Sequence, residues 1–299
     1  MNKVKKRILV QTLVGGKEIN FYIECLKSLI SFCKDPIKLL VHSDGTLTST
    51  DKDRLVSMLG THTVAFSDTK KCKEITLDLL KGKPNCQMIR NNSLWGIEFF
   101  DPLFVDNEEQ FSFYIDADIL FIQPFRGLFD KDVVKNGAVF LKDAQWDAYS
   151  MRPWHLLGSK KKLQIVQGIT TALVCWDKSV IDWDYLEWFL GKNEFHGLKE
   201  WILPSAQSGL AARCNARTIS SSQVLNMYPN AKIQKNTFGL HLLGSFRQSW
   251  FPKIENYRNL ENFDHSPLSP IFESCQLQTP LGYGMNQVKR WINTRLDWW

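Results

Sequence analysis

The sequence predicts an α/β domain built on a mixed, mostly parallel sheet with helices on its faces. Three apolar runs of strand length, 7–14, 37–41 and 63–66, alternate with two stretches of helical periodicity near the N-terminus. This order of strand, helix, strand, helix, strand is typical of a parallel sheet with helical crossovers. A longer apolar run, Phe111–Ile122, predicts a deeply buried strand in the same sheet.

The two helical stretches have recognisable ends. Apolar residues recur at helical spacing from Ile19 to Cys33, and Pro36 ends the pattern. Thr50 is predicted to cap the second helix and Gly60 to end it. Further strands are predicted at 137–141 and 165–176, and further helices at 91–104, 185–190 and 204–212.

No repeat or low-complexity linker divides the chain, so we predict one domain at 1–255 and a small C-terminal extension at 256–299. The end of the extension, 285–299, has apolar residues at helical spacing, with tryptophan and basic residues beside them. This composition is typical of a helix at a membrane interface. We therefore expect this helix either to contact a membrane or a partner, or to pack on the domain.

Composition and charge narrow the classes of function. Hydrophobic residues make up 44% of the chain and charged residues 23%, as in ordered globular proteins. Lysine and arginine total 37 against 31 aspartates and glutamates, which gives a net charge of +6. That charge suits a polyanionic ligand or an anionic membrane surface, but it is too small to indicate nucleic-acid binding.

The cysteines and the apolar segments indicate a compartment. The seven cysteines are scattered, with no CxxC pair and no zinc-type spacing, which fits a reducing environment. The apolar stretch near the N-terminus is too short and too mixed for a signal peptide. No later run approaches the ~18 apolar residues of a spanning helix. We expect a cytoplasmic protein, with peripheral contact to a membrane face as an added option.

The most informative feature is an acidic pair, Asp116 and Asp118, inside the apolar run. Residues two apart in an extended chain project to the same side, so both carboxylates can point to one place at the rim of the sheet. There they would repel each other and resist desolvation unless a cation neutralised them. Mn²⁺ or Mg²⁺ would do so and can bridge the phosphates of a nucleotide diphosphate. The alternative is a solvated turn without a function.

The segment Tyr114–Phe121 resembles the strand that carries the Asp-x-Asp motif of glycosyltransferases with the GT-A (Rossmann-like) fold. The resemblance extends over residues 7–250 and implies that Asp116 and Asp118 hold the metal on the diphosphate of a sugar nucleotide. It also implies donor contacts from the ends of the first two strands, from the backbone at the motif and from a basic residue before it. The further donor-binding candidates are Gln11, Thr12, Leu13, Asp44, Arg90, Ile115 and Ala117.

A second segment, His241–Trp250, is similar to the His-x-x-Gly-x-x-Lys segment of family 8 retaining glycosyltransferases, which include glycogenin and bacterial lipopolysaccharide galactosyltransferases. The resemblance implies that His241 is the third metal ligand and that Gly244 lets the backbone approach the diphosphate. Arg247 stands in place of the lysine as the phosphate contact. The resemblance also implies a UDP-sugar donor and retention of the anomeric configuration. Trp250 follows Arg247 by three residues, whereas the family's tryptophan follows by two.

The catalytic candidates are Gln207, Asp143 and Arg247. In the family an acidic residue precedes the glutamine near the reacting sugar, whereas Ala206 stands there in this chain. If the reaction needs that carboxylate, either another residue supplies it, with Glu200 as one candidate, or the family assignment is wrong. Asp143 ends a predicted strand and can hydrogen-bond a sugar hydroxyl. If the reaction inverts the configuration, Asp143 or Glu200 is the expected general base.

The resulting prediction is a metal-dependent transferase that moves a sugar to a glycan, a lipid-linked saccharide or a protein. Residues 167–171 lie where these enzymes contact the donor sugar and the acceptor. A nucleotide- or carbohydrate-binding scaffold without turnover is one alternative, favoured by the missing acid before Gln207. A sugar nucleotidyltransferase is another, but Gly15, Gly16 and Lys17 are only a trace of the basic Gly-rich loop that it needs.

Overall fold

The computed structural model describes residues 7–105, 109–143, 149–158, 163–197, 201–244, 246–253 and 266–296. These residues form an eight-stranded mixed sheet flanked by helices and a separate three-stranded sheet. The predicted mixed α/β domain is therefore confirmed.

The strands are β1 (Ile8–Val14), β2 (Ile37–Ser43), β3 (Val64–Phe66), β4 (Phe111–Ile115), β5 (Ile119–Phe121), β6 (Gly137–Lys142), β7 (Ile169–Asp177), β8 (Asn215–Ile219), β9 (Val224–Asn226), β10 (Gly239–His241) and β11 (Phe272–Ser274). The helices are α1 (Ile19–Phe32), α2 (Ser49–Leu59), α3 (Thr69–Leu79), α4 (Pro84–Asn92), α5 (Leu94–Phe104), α6 (Lys131–Val134), α7 (His155–Gly158), α8 (Trp183–Leu190), α9 (Ile202–Ala211), α10 (Arg247–Trp250) and α11 (Pro280–Leu296).

The large sheet has the strand order β11-β8-β6-β7-β4-β1-β2-β3. Strands β4, β1, β2 and β3 are parallel neighbours, whereas β7 runs antiparallel to both β4 and β6. The carboxyl ends of the parallel strands therefore share one edge, which is where open α/β sheets bind ligands. Asp44 follows β2 and Asp116 follows β4 at this edge.

The core lies on both faces of the large sheet. Along β6, Val139 and Leu141 pack into one apolar cluster, and Ala138 and Phe140 pack into another. Helices α1 and α2 cover the first face, and α5, α8 and α9 cover the second. Strands buried on both faces read as continuous apolar runs, which is why they are conspicuous in the sequence.

The N-terminus of α2 differs from the prediction. Thr48, and not Thr50, caps the helix, because its hydroxyl accepts a hydrogen bond from the Asp51 amide while the Asp51 carboxylate accepts one from the Thr48 amide. This reciprocal pair is a capping box, in which the residue three positions later decides where the helix begins. Thr50 lies inside the first turn.

The helix predicted at 91–104 corresponds to α5, and a separate helix, α4, precedes it. The first, α4, ends at Asn92, and α5 begins at Leu94. At Gly96 a side chain would collide with the backbone of Ile89, so α5 packs tightly against α4. The predicted range begins three residues early, so Asn91 and Asn92 belong to α4.

The apolar run 111–122 also contains two elements. Its first half is β4 of the large sheet, and its second half is β5 of the three-stranded sheet, whose order is β5-β10-β9. A turn at 116–118 joins them. The chain changes sheets at the acidic pair, so the two carboxylates lie where two sheets meet.

The C-terminal residues that the structure describes pack on the domain. Strand β11 pairs antiparallel with β8 at the edge of the large sheet. Tyr283 of α11 is buried, and its hydroxyl donates to the carbonyl of Met151 at 2.8 Å. The predicted boundary at 255 lies outside the described residues and stays a prediction.

The outer face of α11 is apolar and solvent-exposed. None of the helices in the described part of the chain has the length and apolarity that crossing a membrane requires. Contact of α11 with a membrane surface stays a prediction. The exposed apolar residues of this face are Leu281, Met285, Val288 and Trp291.

Candidate metal and donor site

The turn between β4 and β5 holds its two aspartates rigidly. The backbone N–H of Asp116 donates to the carbonyl of Ala172 on β7 at 2.7 Å, and the Tyr114 hydroxyl donates to Asp116 Oδ1 at 2.8 Å. On the other side, the carbonyl of Asp118 accepts from the backbone N–H of Leu242 at 3.0 Å. The large sheet thus fixes Asp116, and the small sheet fixes Asp118.

His241 reaches the pair because β10 pairs antiparallel with β5, with His241 opposite Ile119. Its Nδ1 lies 2.7 Å from Oδ1 of Asn226, whose amide nitrogen donates to the carbonyl of Lys142 at 3.1 Å. Since that amide nitrogen is used, Asn226 offers its oxygen to the ring, and Nδ1 carries the proton. The lone pair of Nε2 then faces Asp118 Oδ1 at 3.5 Å.

This arrangement suits a divalent cation. One ligand atom from each of Asp116, Asp118 and His241 lies within 4.8 Å of the others, and no described residue donates a hydrogen bond to the buried Asp118 Oδ1. Burial lowers the pKa of His241, which keeps the ring neutral, as a metal ligand must be. Burial and the charge of Asp118 raise the pKa of Asp116 to about 8, so this carboxylate lacks a compensating charge.

Arg247 of α10 lies at the edge of the same cluster. Its Nη2 donates to Asp118 Oδ2 at 2.6 Å, and its Nη1 pairs with Glu18. The guanidinium carbon also lies 4.6 Å from the ring centre of Phe21 and 5.6 Å from that of Tyr22. Arg247 and Glu18 border an open cleft of about 350 Å³. A planar cation is therefore held between the aspartates and a cleft large enough for a ligand.

The backbone candidates around the cluster have distinct positions. A side chain added at Gly244 would meet nothing within 4 Å, so there is open space in front of this glycine. Ile115 and Ala117 are buried, so their side chains belong to the core and only their backbone can face a donor.

The ends of the first two strands lie at the same sheet edge. The Asp44 carboxylate accepts hydrogen bonds from the amide and hydroxyl of Thr46, at 2.8 and 2.6 Å. Gly15 lies directly against this carboxylate, where any side chain would overlap it. Thr12 is fully buried, and its hydroxyl has no hydrogen-bond partner among the described residues, whereas Leu13 is half-buried.

Two other donor-binding candidates lie in a buried polar network. Gln11 receives a hydrogen bond from His42 Nε2 at 2.9 Å and donates to the Pro102 carbonyl at 2.8 Å. Arg90 makes a bidentate ion pair with Asp101, at 2.5 and 2.7 Å. The structure does not bring Gln11 or Arg90 to the aspartate pair, and their donor contacts stay predictions.

Asp143 follows β6 and lies near Arg290 of the C-terminal helix. It is buried, and its backbone N–H donates to the carbonyl of Gly168 at 2.8 Å. Arg290 of α11 stacks on the ring of Trp201 at 3.8 Å. Burial lowers the pKa of Arg290, and the charges of Asp143 and Tyr228 oppose that shift. Helix α11 therefore brings a cation towards Asp143, and Glu200 lies outside the described residues.

Gln207 lines a small cavity together with a residue that the sequence interpretation missed, Glu98 of α5. The Oε1 of Gln207 is buried without a hydrogen-bond donor. Burial, followed by the charge of Asp116, raises the pKa of Glu98 well above its ordinary value, so a cation on the aspartates would favour the charged form of Glu98. The available signal was a single charged residue within the apolar segment 94–100.

No known family model matches this sequence, and no curated protein matches it. Solved structures do match. The apo form of mouse xyloside xylosyltransferase 1 superposes with a TM-score of 0.56 at 9% identity, over 81% of this chain and 99% of that one. The apo form of the glycosyltransferase GlyE from Streptococcus pneumoniae TIGR4 gives 0.51 at 11% identity, over 86% of this chain and 61% of that one.

The protein has the GT-A fold. The structural neighbours are GT-A glycosyltransferases, as the Asp-x-Asp segment implied. At these identities the likeness concerns the fold, whereas function depends on the site that the fold carries.

Proposed function

We propose that the protein is a metal-dependent glycosyltransferase that moves a sugar from a nucleotide-diphosphate donor to a glycan, lipid-linked or protein acceptor. The observation that carries this proposal is the convergence of Asp116, Asp118 and the unprotonated Nε2 of His241 at one place. The fold and the open cleft beside Arg247 support it.

Each residue of the cluster has a role in this proposal. Asp116, Asp118 and His241 would hold Mn²⁺ or Mg²⁺, which supplies positive charge to the donor diphosphate. Asn226 keeps the Nε2 of His241 available by holding the proton on Nδ1. Arg247 would turn from Asp118 to the departing diphosphate and stabilise its charge, because bidentate guanidinium contacts suit phosphate oxygens.

The resemblance to family 8 enzymes supports a UDP-sugar donor and a retaining reaction as the finer form of the proposal. In that reaction the acceptor oxygen attacks from the side on which the diphosphate leaves, and a diphosphate oxygen takes the acceptor's proton. Protein groups then bind, orient and stabilise charge without a covalent intermediate.

Thermal unfolding with nucleotides tests the proposal directly. UDP, GDP, CDP and dTDP would each be added with Mn²⁺ or with EDTA, to the wild type and to Asp118→Asn. A ligand at a hundred times its dissociation constant stabilises the fold by about 2.7 kcal/mol, which raises the melting temperature measurably. We expect one nucleotide to stabilise the wild type only with metal and to leave Asp118→Asn unchanged.

The two alternatives predict other outcomes. A binding scaffold would show the metal-dependent stabilisation but no hydrolysis of any nucleotide sugar. A sugar nucleotidyltransferase would release pyrophosphate from a nucleoside triphosphate and a sugar phosphate. Stabilisation by nucleotides in EDTA, with none added by metal, would contradict the proposed metal site.

A further inference from the structure

Glu98 is a third carboxylate beside the aspartate pair. It projects from α5, accepts a hydrogen bond from the Thr171 side chain on β7, and feels the charges of Asp116 and Asp118. Thr171 is itself next to Ala172, whose carbonyl anchors Asp116. Glu98 is therefore tied to the same strand that fixes the first aspartate.

The position of Glu98 is distinctive among the residues around the cavity that it shares with Gln207. Every other described residue that lines this cavity is buried, whereas Glu98 is partly exposed. Among the described residues of this lining, the Glu98 side chain is therefore the one that solvent can reach. Gln207, 2% exposed, contributes an Oε1 without a donor to the same cavity.

Packing fixes the helix that carries this carboxylate. Gly96 lets α5 contact the backbone of α4 closely, and Phe99 and Phe100 anchor the helix in the core below the sheet. Because the residues on either side are held, the backbone of Glu98 cannot move away from Asp116 without disturbing the core.

A carboxylate at position 98 can supply the acid that is missing at position 206, before Gln207. Ala206 is fully buried and offers no charge, while the structure brings Glu98 to Gln207 from a different helix. The fold decides which charged groups meet at a site, so the acid and the glutamine need not be adjacent in the chain.

We propose that Glu98 is a catalytic residue whose carboxylate faces the donor sugar and stabilises positive charge at its anomeric carbon. This rests on the proposed function. In the reaction, the bond from the anomeric carbon to the bridging phosphate oxygen breaks, and its electron pair leaves with the nucleoside diphosphate. The acceptor oxygen, or a water oxygen in hydrolysis, forms the new bond and gives its proton to the leaving diphosphate. Glu98 forms no covalent bond.

The test compares Glu98→Gln with the wild type in two assays, nucleotide binding by metal-dependent thermal shift and hydrolysis of the matching nucleotide sugar. Glutamine keeps the size and the hydrogen bond to Thr171 but removes the charge. We expect nucleotide binding to change by less than about threefold and kcat to fall about a hundredfold or more, as for other lost electrostatic contacts to a transition state. The control is Glu74→Gln, an exposed glutamate on α3.

A second variant separates a catalytic carboxylate from a structural one. Glu98→Ala leaves space at the cavity mouth, so added formate should raise its hydrolysis rate severalfold and leave the rates of the wild type and Glu98→Gln unchanged. Wild-type turnover by Glu98→Gln would overturn this proposal while the proposed function stands. Loss of nucleotide binding together with turnover would overturn it by making Glu98 part of the metal site. A wild type that neither binds nucleotide nor hydrolyses any sugar donor would overturn both proposals.

Discussion

Arg247 and His241 flank opposite oxygens of one carboxylate, that of Asp118. The guanidinium donates to Oδ2 at 2.6 Å, and the ring Nε2 faces Oδ1 at 3.5 Å. The first contact supplies positive charge, and the second brings two electron-rich atoms together. The carboxylate is thus only partly compensated by the protein, and a cation on the His241 side would complete it.

Replacing Arg247 by methionine should change the response to metal and to nucleotide in opposite directions. Without metal, Arg247→Met removes the guanidinium that partly compensates Asp118, and we expect the free energy of unfolding to fall by about 3 kcal/mol. Mn²⁺ alone should then raise the melting temperature more than it does in the wild type. The further increase from nucleotide should shrink, because the phosphate contact is gone. Calorimetric melting of both proteins without metal, with Mn²⁺ alone and with Mn²⁺ plus nucleotide measures both effects.

Lys253→Met is the matched control for Arg247→Met. Lys253 is an exposed cation six residues away, stacked on Trp250 at 5.0 Å. Lys253→Met should leave the responses to metal and to nucleotide unchanged. An Arg247→Met protein that keeps the full nucleotide effect would remove Arg247 from the diphosphate site.

The buried ion pair between Arg90 and Asp101 gives a second prediction, which concerns both the stability of the fold and the contact of Arg90 with the donor. Among the described residues, Arg90→Met leaves the buried Asp101 carboxylate with the Thr76 hydroxyl as its remaining side-chain partner, at 3.1 Å. We expect a loss of about 3–5 kcal/mol, since one partner of a buried pair is left unpaired. Arg90→Met combined with Asp101→Asn should recover most of this loss, as urea unfolding would show.

The exposed pair of Lys83 and Asp184 is the comparison for that experiment. Its atoms lie 2.7 Å apart, but Asp184 is 95% exposed, so Lys83→Met should cost at most about 1 kcal/mol. If the Arg90→Met, Asp101→Asn protein is folded and binds nucleotide like the wild type, Arg90 makes no donor contact. If nucleotide binding is lost in the refolded double variant, the donor prediction for Arg90 gains support.

Much of the parallel half of the fold could be predicted, because strands buried on both faces give continuous apolar runs and the intervening helices alternate with them. Strands β8 to β11 escaped prediction because they are short and one of them is at a sheet edge, where the pattern of burial is weak. The break in the run 111–122 also escaped, since both halves are apolar and only the turn separates them.

The site was partly predictable for a similar reason. Asp116 and Asp118 stand out as charges in an apolar run, and His241 belongs to a recognisable segment. Asn226 has no such local pattern, and Glu98 has only its charge within the apolar segment 94–100. Glu98 reaches the site through the packing of α5, and Asn226 through the register of β9 on β10, so both depend on contacts distant in sequence.

The buried histidine at position 42 predicts how stability depends on pH. Burial, assisted by Arg90, lowers the pKa of His42 from 6.5 to about 4. Between these values the unfolded chain binds the proton more readily than the folded one. The free energy of unfolding should therefore decrease as the pH falls from 6.5 towards 4, by as much as about 3 kcal/mol, and this contribution is fully present above pH 6.5.

Chemical denaturation at a series of pH values would measure that slope. His42→Gln keeps a donor for Gln11 and removes the titrating group, so its stability should vary less between pH 4 and 6.5. His62→Gln, at an exposed histidine, serves as the control. Identical pH slopes for His42→Gln and the wild type would contradict the assignment of this window to His42.

The outer face of α11 gives the last prediction. Val288 and Trp291 are 57% and 59% exposed, one helical turn apart, and Arg295 stacks on Trp291 at 4.8 Å. Apolar side chains with a basic neighbour favour the interface of an anionic membrane. We expect the protein to sediment with vesicles that contain phosphatidylserine, and Val288→Ser with Trp291→Ser to weaken this by about tenfold or more, because each buried apolar side chain contributes about 2 kcal/mol.

These substitutions are preferable to a truncation, because α11 also carries the buried Tyr283 and brings Arg290 to Trp201. The control is Met58→Ser with Met88→Ser, which removes two exposed apolar side chains elsewhere on the surface. Both double variants should melt like the wild type, since none of the four side chains is buried. Equal sedimentation of the two variants would show that the α11 face does not bind the vesicle, and would leave packing on the domain as the role of this helix.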